Sequence, residues 1–158
     1  IPKFDKSIDD RFKARYWQKI KKKPDIIIFE GWCIGAEPQQ LKELKKPMNI
    51  LEKEEDTKLT WRKKVNNELK TNYKKIYNLI DKKVYLKVPN FRYVLKWRIL
   101  QEKKLRLKSK KKTMDNNKIK RFIMFYERIT THMAKNFKKN DVVVLIDNSH
   151  KIKSINFK

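Results

Sequence analysis

Short β-branched apolar runs separated by long helical stretches constrain this chain more than any other feature. The runs are residues 26–29, residues 84–88 and Val142–Ile146. Each has the length of a strand buried on both faces and is too short for a buried helix. Strands that alternate with helices favour a largely parallel sheet with helices packed on it, so we predict a three-layer α/β fold. Ile152–Phe157 alternates as an edge strand does.

The stretches between these runs predict helices. From Thr60 the apolar residues recur at helical spacing, as Trp61, Val65, Leu69, Tyr73, Ile76 and Ile80. Phe91–Lys108 predicts a very basic helix, and residues 91–113 together read as a lid-like helix with a basic turn. Asp115 or Thr113 can cap a third helix that continues to Phe137.

Two stretches near the start have weaker patterns. Tyr16, Trp17 and Ile20 predict a short helix before the first apolar run. Residues 39–58 are polar and charged, with Pro38 and Pro47 as breakers, so we expect a mobile insertion with one or two helical turns.

The rare residue types exclude several classes of protein. The two glycines, Gly31 and Gly35, lie four positions apart and lead into Ala36, so the chain contains no phosphate loop and no dinucleotide fingerprint. Cys33 is the single cysteine, which excludes an internal disulfide and a multi-cysteine zinc site. No uncharged run is long enough to span a membrane, and we expect a cytoplasmic protein.

The formal net charge of +25 has two interpretations. It is typical of nucleic-acid-binding surfaces, because neutralising phosphates releases counterions. However, lysine greatly outnumbers arginine and is scattered along the whole chain, whereas specific nucleic-acid readers favour arginine. A solvated, lysine-rich surface is therefore the favoured interpretation, and nucleic acid stays possible as a partner.

Charged side chains near the predicted strand ends are candidates for chemistry. Glu30 follows the first apolar run directly, where an acid in phosphoryl-transfer enzymes holds Mg²⁺; the alternative is a loop cap. Asp5 can position or deprotonate a hydroxyl and Lys6 can neutralise phosphate, although both also fit a solvated charge run.

A second group of candidates lies in the C-terminal half. Arg98, Glu102 and Arg106 recur every four residues and share one helix face, which suits either a charge ladder or a lid that brings arginine to phosphates. Asn148 and His150 follow the last buried strand, where His150 either forms a turn or touches a nucleotide base.

These segments resemble the D-glycerate 3-kinase family of P-loop kinases over nearly the whole chain. Two strings are specific: Phe29-Glu30-Gly31-Trp32-Cys33-Ile34-Gly35, and the lid-like Trp97-Arg98-Ile99-Leu100-Gln101-Glu102. The opening segment with Asp5, Lys6 and Arg11 is also similar to the family.

The resemblance implies an ATP- and Mg²⁺-dependent kinase that phosphorylates a small hydroxy acid or a similar substrate. By matching positions, Glu30 would be the catalytic acid near Mg²⁺, while Asp5, Lys6 and Arg11 would border the acceptor pocket with Trp32 on its wall. The nucleotide and lid residues would be Arg98, Gln101, Glu102, Arg106, Asn148 and His150.

The family's first strand and phosphate loop have no counterpart in these residues. We therefore predict that residues 1–158 form a single C-terminal portion of a P-loop kinase-like domain. Without the loop ATP has no cradle, so we expect no kinase activity from these residues alone. The alternative is a degenerate kinase-derived module whose basic surface binds RNA or another polyanion.

Overall fold

The computed structural model describes residues 1–5, 8, 10–108 and 114–158. The chain divides into two compact units, Ile1–Glu30 and Gly31–Lys158. The predicted substrate residue Lys6 and the predicted basic turn at residues 109–113 lie outside the described residues.

The first unit contains little regular structure. Strands β1 (Phe4–Asp5) and β2 (Asp10–Arg11) pair antiparallel, and a single 3₁₀ turn covers Ala14–Tyr16. The short helix expected around Tyr16, Trp17 and Ile20 is therefore wrong, because the helical geometry ends after one turn.

The strand predicted at residues 26–29 is also wrong. These residues have no strand geometry, and the side chain of Ile28 is 87% exposed. Among the described residues no neighbouring strand donates to or accepts from their backbone. A strand is stabilised by its ladder of hydrogen bonds, so apolar composition alone does not form one.

The second unit holds six helices among the described residues together with a three-stranded sheet. The helices are α1 (Leu41–Lys45), α2 (Ile50–Glu55), α3 (Thr60–Glu68), α4 (Lys74–Tyr77), α5 (Phe91–Lys108) and α6 (Asn116–Lys135). The strands are β3 (Val84–Lys87), β4 (Val142–Ile146) and β5 (Ile152–Phe157).

The sheet has the order β3-β4-β5. The central strand β4 runs parallel to β3 and antiparallel to β5, with Val84 opposite Val142 and Val142 opposite Phe157. These three strands lie where the sequence predicts them, and the sheet is mixed because the edge strand β5 reverses direction. Helices α5 and α6 both lie between β3 and β4 in the chain, as expected for the helical connection between two parallel strands.

The predicted helix after Thr60 contains one irregularity that changes its buried face. A π-helical turn, Leu69–Tyr73, joins α3 to α4. The extra residue in such a turn displaces the following side chains by one position, so Tyr77 is buried whereas the predicted Ile76 is exposed. Ahead of this displacement, Leu69 is buried and Trp61 is exposed. Tyr77 donates to the carbonyl of Cys33 at 2.8 Å, which anchors the turn after Gly31.

A buried ion cluster holds α2, α3 and α6 together. Arg128 of α6 forms a two-pronged pair with Glu52 of α2, with both N···O distances at 2.6 Å. Arg62 of α3 pairs with Asp56 at 2.8 Å and donates to the carbonyl of Leu44 at 2.8 Å. Polar groups buried in this way are stable because each has a charged or hydrogen-bonding partner.

Residues 39–58, predicted from composition to be a mobile insertion, contribute α1, α2 and the carboxylates of this cluster. Their mobility stays a prediction. Burial raises the pKa of Glu52, but hydrogen bonds from Arg128 and the Met48 N–H outweigh burial, so the net pKa of Glu52 is lowered. The carboxylate is thus held in its charged form.

Helices α5 and α6 pack against each other in the second unit. Asp115 caps α6 by accepting a hydrogen bond from the Lys118 N–H at 2.8 Å, which confirms one of the two predicted caps. The other, Thr113, lies outside the described residues. The bounds of α5 are those that the sequence predicts.

Candidate functional site

Two of the predicted acceptor residues share one hairpin in the first unit. Phe4 lies opposite Arg11 and Asp5 lies opposite Asp10 in the β1–β2 register. The Arg11 N–H donates to the carboxylate of Asp10 at 2.6 Å. The hairpin therefore places carboxylates and a guanidinium within a few residues of one another, a set that can bind a hydroxy acid.

Glu30 is the last residue of the first unit, and its side chain is exposed. The sequence predicts that this acid follows a buried strand. Residues 26–29 form no strand, so the predicted buried environment of Glu30 is not observed. An exposed carboxylate can serve as a single ligand to a hydrated cation.

In the second unit, an open cleft of about 410 Å³ lies along α5 beside the β4–β5 turn. Arg98 and Gln101, one turn apart on α5, and His150 of the turn all line it. The sequence predicts Arg98 from its helical spacing, Gln101 through the family resemblance of the same segment, and His150 from a strand end about fifty positions later. The complete lining consists of Val94, Trp97, Arg98, Leu100, Gln101, Lys104 and His150.

The ring of His150 packs against the indole of Trp97, with ring centroids 3.6 Å apart and an interplanar angle of 37°. Trp97 Nε1 also points to the carbonyl of Asn148, at 3.4 Å. Of the two predicted residues in this turn, His150 thus reaches the cleft with its side chain, whereas Asn148 contributes its backbone.

Asp147 shapes the turn that presents His150. Its Oδ1 accepts from the backbone N–H groups of Ser149 at 2.8 Å and Lys151 at 2.9 Å. These backbone hydrogen bonds, the one from Lys151 first, lower the pKa of the Asp147 carboxyl. His150 itself has a φ of 65°, in the left-handed region that a residue adopts only in a tight turn.

Glu102 joins α5 to the start of α6. Its carboxylate is only 3% exposed; it pairs with Arg98 Nη2 at 2.5 Å and accepts from the Met114 N–H at 3.2 Å. Arg106 donates to the carbonyl of Met114 at 2.7 Å. Three of the predicted lid residues therefore form one network. Glu102 and Arg106 bind the backbone of Met114, just before α6, and Arg98 faces the cleft.

A row of rings along α6 leads from Arg98 to Trp32. The Arg98 guanidinium lies 5.7 Å from the ring centre of Phe122, and Phe122 packs on Tyr126 with centroids 4.9 Å apart. Tyr126 in turn meets Trp32 edge to face at 4.7 Å. The predicted lid residue Arg98 and the predicted acceptor residue Trp32 thus lie at the two ends of one row of ring contacts in the second unit.

Sequence reasoning missed several residues of this surface. Phe122, Tyr126 and Asp147 were not among the predicted site residues, and Trp97 appeared only within the lid-like string. The signal for Trp97 was its place beside Arg98 in the lid-like string. For Phe122 and Tyr126 the four-residue spacing was visible, but their partners Arg98 and Trp32 are distant in sequence.

Two absences concern the described part of the chain. Within residues 1–5, 8, 10–108 and 114–158, no group of three or more His, Cys, Asp and Glu side chains is placed to hold a metal ion. In the same residues, no helix combines the length and the apolar character that a membrane span needs.

Two solved structures share the fold of this chain. D-glycerate 3-kinase from Cryptococcus neoformans var. grubii superposes on the whole chain with a TM-score of 0.76 at 19% identity. The fold is that of D-glycerate 3-kinase. The structure of the protein named YGR205w also superposes on the whole chain, with a TM-score of 0.68 at 23% identity. The predicted resemblance and the predicted kinase-like α/β class are therefore confirmed.

Sequence comparison gives a consistent result. The protein called "Uncharacterized kinase mug58" of Schizosaccharomyces pombe is 32% identical over 132 residues, or 80% of this chain. No protein-family model matches the chain. The chain spans 46% of that curated relative and 59% of the solved D-glycerate 3-kinase chain, so about half of each longer protein lies outside the matched part.

Proposed function

We propose that residues 1–158 form part of an ATP- and Mg²⁺-dependent kinase that phosphorylates a hydroxyl group of a small hydroxy acid. The observation that carries the proposal is the cleft beside α5, in which Arg98, Gln101 and His150 share one lining. The names of the similar proteins support the same reaction class.

The lining of the cleft suits a nucleotide. Trp97 and His150 offer flat rings on which a base can stack, and such stacking is typical of base recognition by proteins. Arg98 and Lys104 supply positive charge for the phosphates. The residues that line the cleft include no carboxylate, so phosphate groups meet no like charge there.

Arg98 is the residue that we assign to the transferred phosphoryl group. Its guanidinium is fixed by Gln101 Oε1 at 3.1 Å and by Glu102 at 2.5 Å. A guanidinium held in place before the reaction stabilises charge that develops in the transition state without reorganising. Gln101 and Glu102 are then positioning residues, and Arg98 is the group that touches phosphate.

The acceptor side is assigned to the predicted residues Asp5, Lys6, Arg11 and Trp32. Asp5 would accept the proton of the substrate hydroxyl as its oxygen bonds to the γ-phosphorus, while the bond to ADP breaks. Glu30 fits a role at Mg²⁺, since this ion usually takes one or two protein carboxylates and completes its shell with phosphates and water. The ion would neutralise charge on the phosphates.

The chain contains no phosphate loop, so in this proposal longer polypeptide supplies it. The test compares residues 1–158 with the full-length protein from the gene, each mixed with ATP, Mg²⁺ and D-glycerate, by measuring ADP release. We expect turnover from the full-length protein and none from residues 1–158 alone, because the backbone cradle for the phosphates is needed.

Variants of the full-length protein test the assignment of the cleft. Arg98→Ala is expected to lower kcat roughly 100-fold or more, as for loss of a transition-state donor. Lys103→Ala, an exposed lysine of α5 outside the cleft lining, is the matched control and should be unaffected. Glu30→Gln should also lower turnover by orders of magnitude, whereas His150→Ala should mainly raise KM for ATP.

Two results would overturn the proposal. One is an unchanged rate for Arg98→Ala, which would remove the cleft from the reaction. The other is a full-length protein that makes no ADP with any hydroxy acid but binds RNA with a steep dependence on salt. That result would favour a polyanion-binding module.

A further inference from the structure

The sheet has one apolar face that is exposed to solvent. Alternation along the three paired strands brings the same register positions to this face: Val84, Leu86, Val142, Val144, Ile155 and Phe157. We call these six residues the apolar sheet face. The side chains on the two outer strands are between 48% and 76% exposed, whereas Val144 of the central strand, which lies between Leu86 and Ile155, is buried. Such a contiguous apolar surface is typical of an interaction site.

The opposite face of the same sheet is covered. Tyr85 stacks on Phe137, which follows α6, with ring centroids 6.5 Å apart, and Lys87 lies over the same ring at 3.7 Å. Parallel strand pairs are normally covered on both faces by helices, so the apolar sheet face lacks the layer that its partner face has.

Charge favours a partner over a second copy of this chain. The lysines that border β5, Lys151, Lys153 and Lys158, are exposed, and the chain carries +25 overall. Two copies would bring these charges together, which opposes association, whereas acidic residues beside an apolar surface would be attracted. The similar proteins are also about twice as long as this chain, so in them further polypeptide adjoins the matched part.

We propose that the apolar sheet face is a docking surface for an amphipathic helix with acidic flanks, supplied by polypeptide outside residues 1–158. Leucine-type side chains on one side of the helix would pack on Leu86, Ile155 and Phe157. Acidic residues at its edges would face the lysines that border β5. The proposal is independent of catalysis.

The test uses a fluorescent peptide of roughly 18 residues, about five helical turns, with leucine on one face and glutamate elsewhere. Fluorescence anisotropy should show saturable binding to the 158-residue chain. Leu86→Glu and Phe157→Glu should each weaken binding at least about tenfold, with circular dichroism verifying the fold. Leu79→Glu, which changes an exposed leucine outside the sheet, is the matched control and should bind as the wild type does.

A peptide of the same composition but scrambled order has no apolar face. Equal binding of this peptide would show attraction by charge alone and would overturn the proposal, as would unchanged binding by Leu86→Glu. Sedimentation tests whether a second copy of the chain occupies the face instead. A wild-type dimer that Leu86→Glu converts to a monomer would show this and would overturn the proposal.

Discussion

Two segments, residues 26–29 and residues 39–58, differ in burial and regular structure from what their compositions suggest. The first segment is entirely apolar, yet its isoleucines are exposed and form no strand. The second is rich in charge, yet Glu52 is buried and two helices form. The difference lies in partners, since Glu52 has Arg128, and residues 26–29 have no strand beside them among the described residues. Burial is therefore decided by partners as much as by side-chain polarity.

The largest effect is expected from breaking the partnership of the charged segment. Arg128→Ala removes the two-pronged partner of buried Glu52 and leaves only Arg62, at 3.9 Å, as its counter-charge, which should reduce the free energy of unfolding by about 3 kcal/mol. Lys135→Ala, an exposed change on the same helix, should have almost no effect. Urea denaturation followed by circular dichroism measures both.

The same variants test how residues 39–58 behave. The cluster leads us to expect that limited proteolysis spares this segment in the wild type and cuts it in Arg128→Ala. Rapid cleavage of the wild-type segment would instead support the mobility predicted from its composition. Adding Glu52→Gln to Arg128→Ala should recover part of the lost stability, because the stranded charge is removed.

An intermediate effect is expected from a matched pair of apolar truncations. Val143→Ala in β4 removes two buried methyl groups and should cost about 2 kcal/mol. Ile27→Ala removes even more carbon from an exposed side chain and should cost little. If both variants lost equal stability in thermal melts, residues 26–29 would be buried in solution and the comparison would fail.

The smallest effect concerns pH. The Nε2 atom of His132 is buried and has no hydrogen-bond partner among the described residues. Burial lowers the pKa of His132, while Glu43 and Glu37 oppose this and Lys135 and Lys139 add to it. Because the folded pKa lies below the unfolded value of about 6.5, the unfolded chain takes up the proton first. The contribution of neutral His132 to the free energy of unfolding is therefore fully present above about pH 6.5, and it is lost as the pH falls from that value toward the lowered folded pKa.

Thermal melts of the wild type at pH 7.5 and pH 5.5 (roughly one unit either side of the unfolded pKa) measure this loss. His132→Gln should reduce the difference between the two melts, whereas His150→Gln, the matched control, should retain it. The same difference in the wild type and in His132→Gln would contradict the assignment.

Local patterns predicted the elements that depend on local forces. The bounds of α5, the cap at Asp115 and the three strands of the sheet agree with the sequence, because capping and alternation are visible within a few residues. The π turn at Leu69–Tyr73 was not visible, because each of its residues also fits an α-helix. The missing strand depended on partners that no local pattern reports.

The candidate site shows the same division. Arg98, Gln101 and His150 were predictable as individual residues, and the structure adds that they line one cleft. The four-residue spacing of Glu102 could not reveal that its side chain is buried. Its burial depends on a contact with Met114, which lies 12 residues later in the chain. The hairpin with Asp5 and Arg11 and the acid Glu30 lie in the other unit, and their roles stay proposals.

The π turn between α3 and α4 also bears on how insertions and deletions act on this chain. Removing one residue from Leu69–Tyr73 would convert the π turn into an α turn and leave the later side chains close to their present directions. Removing one residue from α3 instead would rotate every later side chain of the helix by about 100° and shift it by about 1.5 Å. Tyr77 would then turn away from the Cys33 carbonyl, and the turn after Gly31 would lose its anchor. A change in the length of this helix is thus equivalent to a change at the turn that carries Trp32.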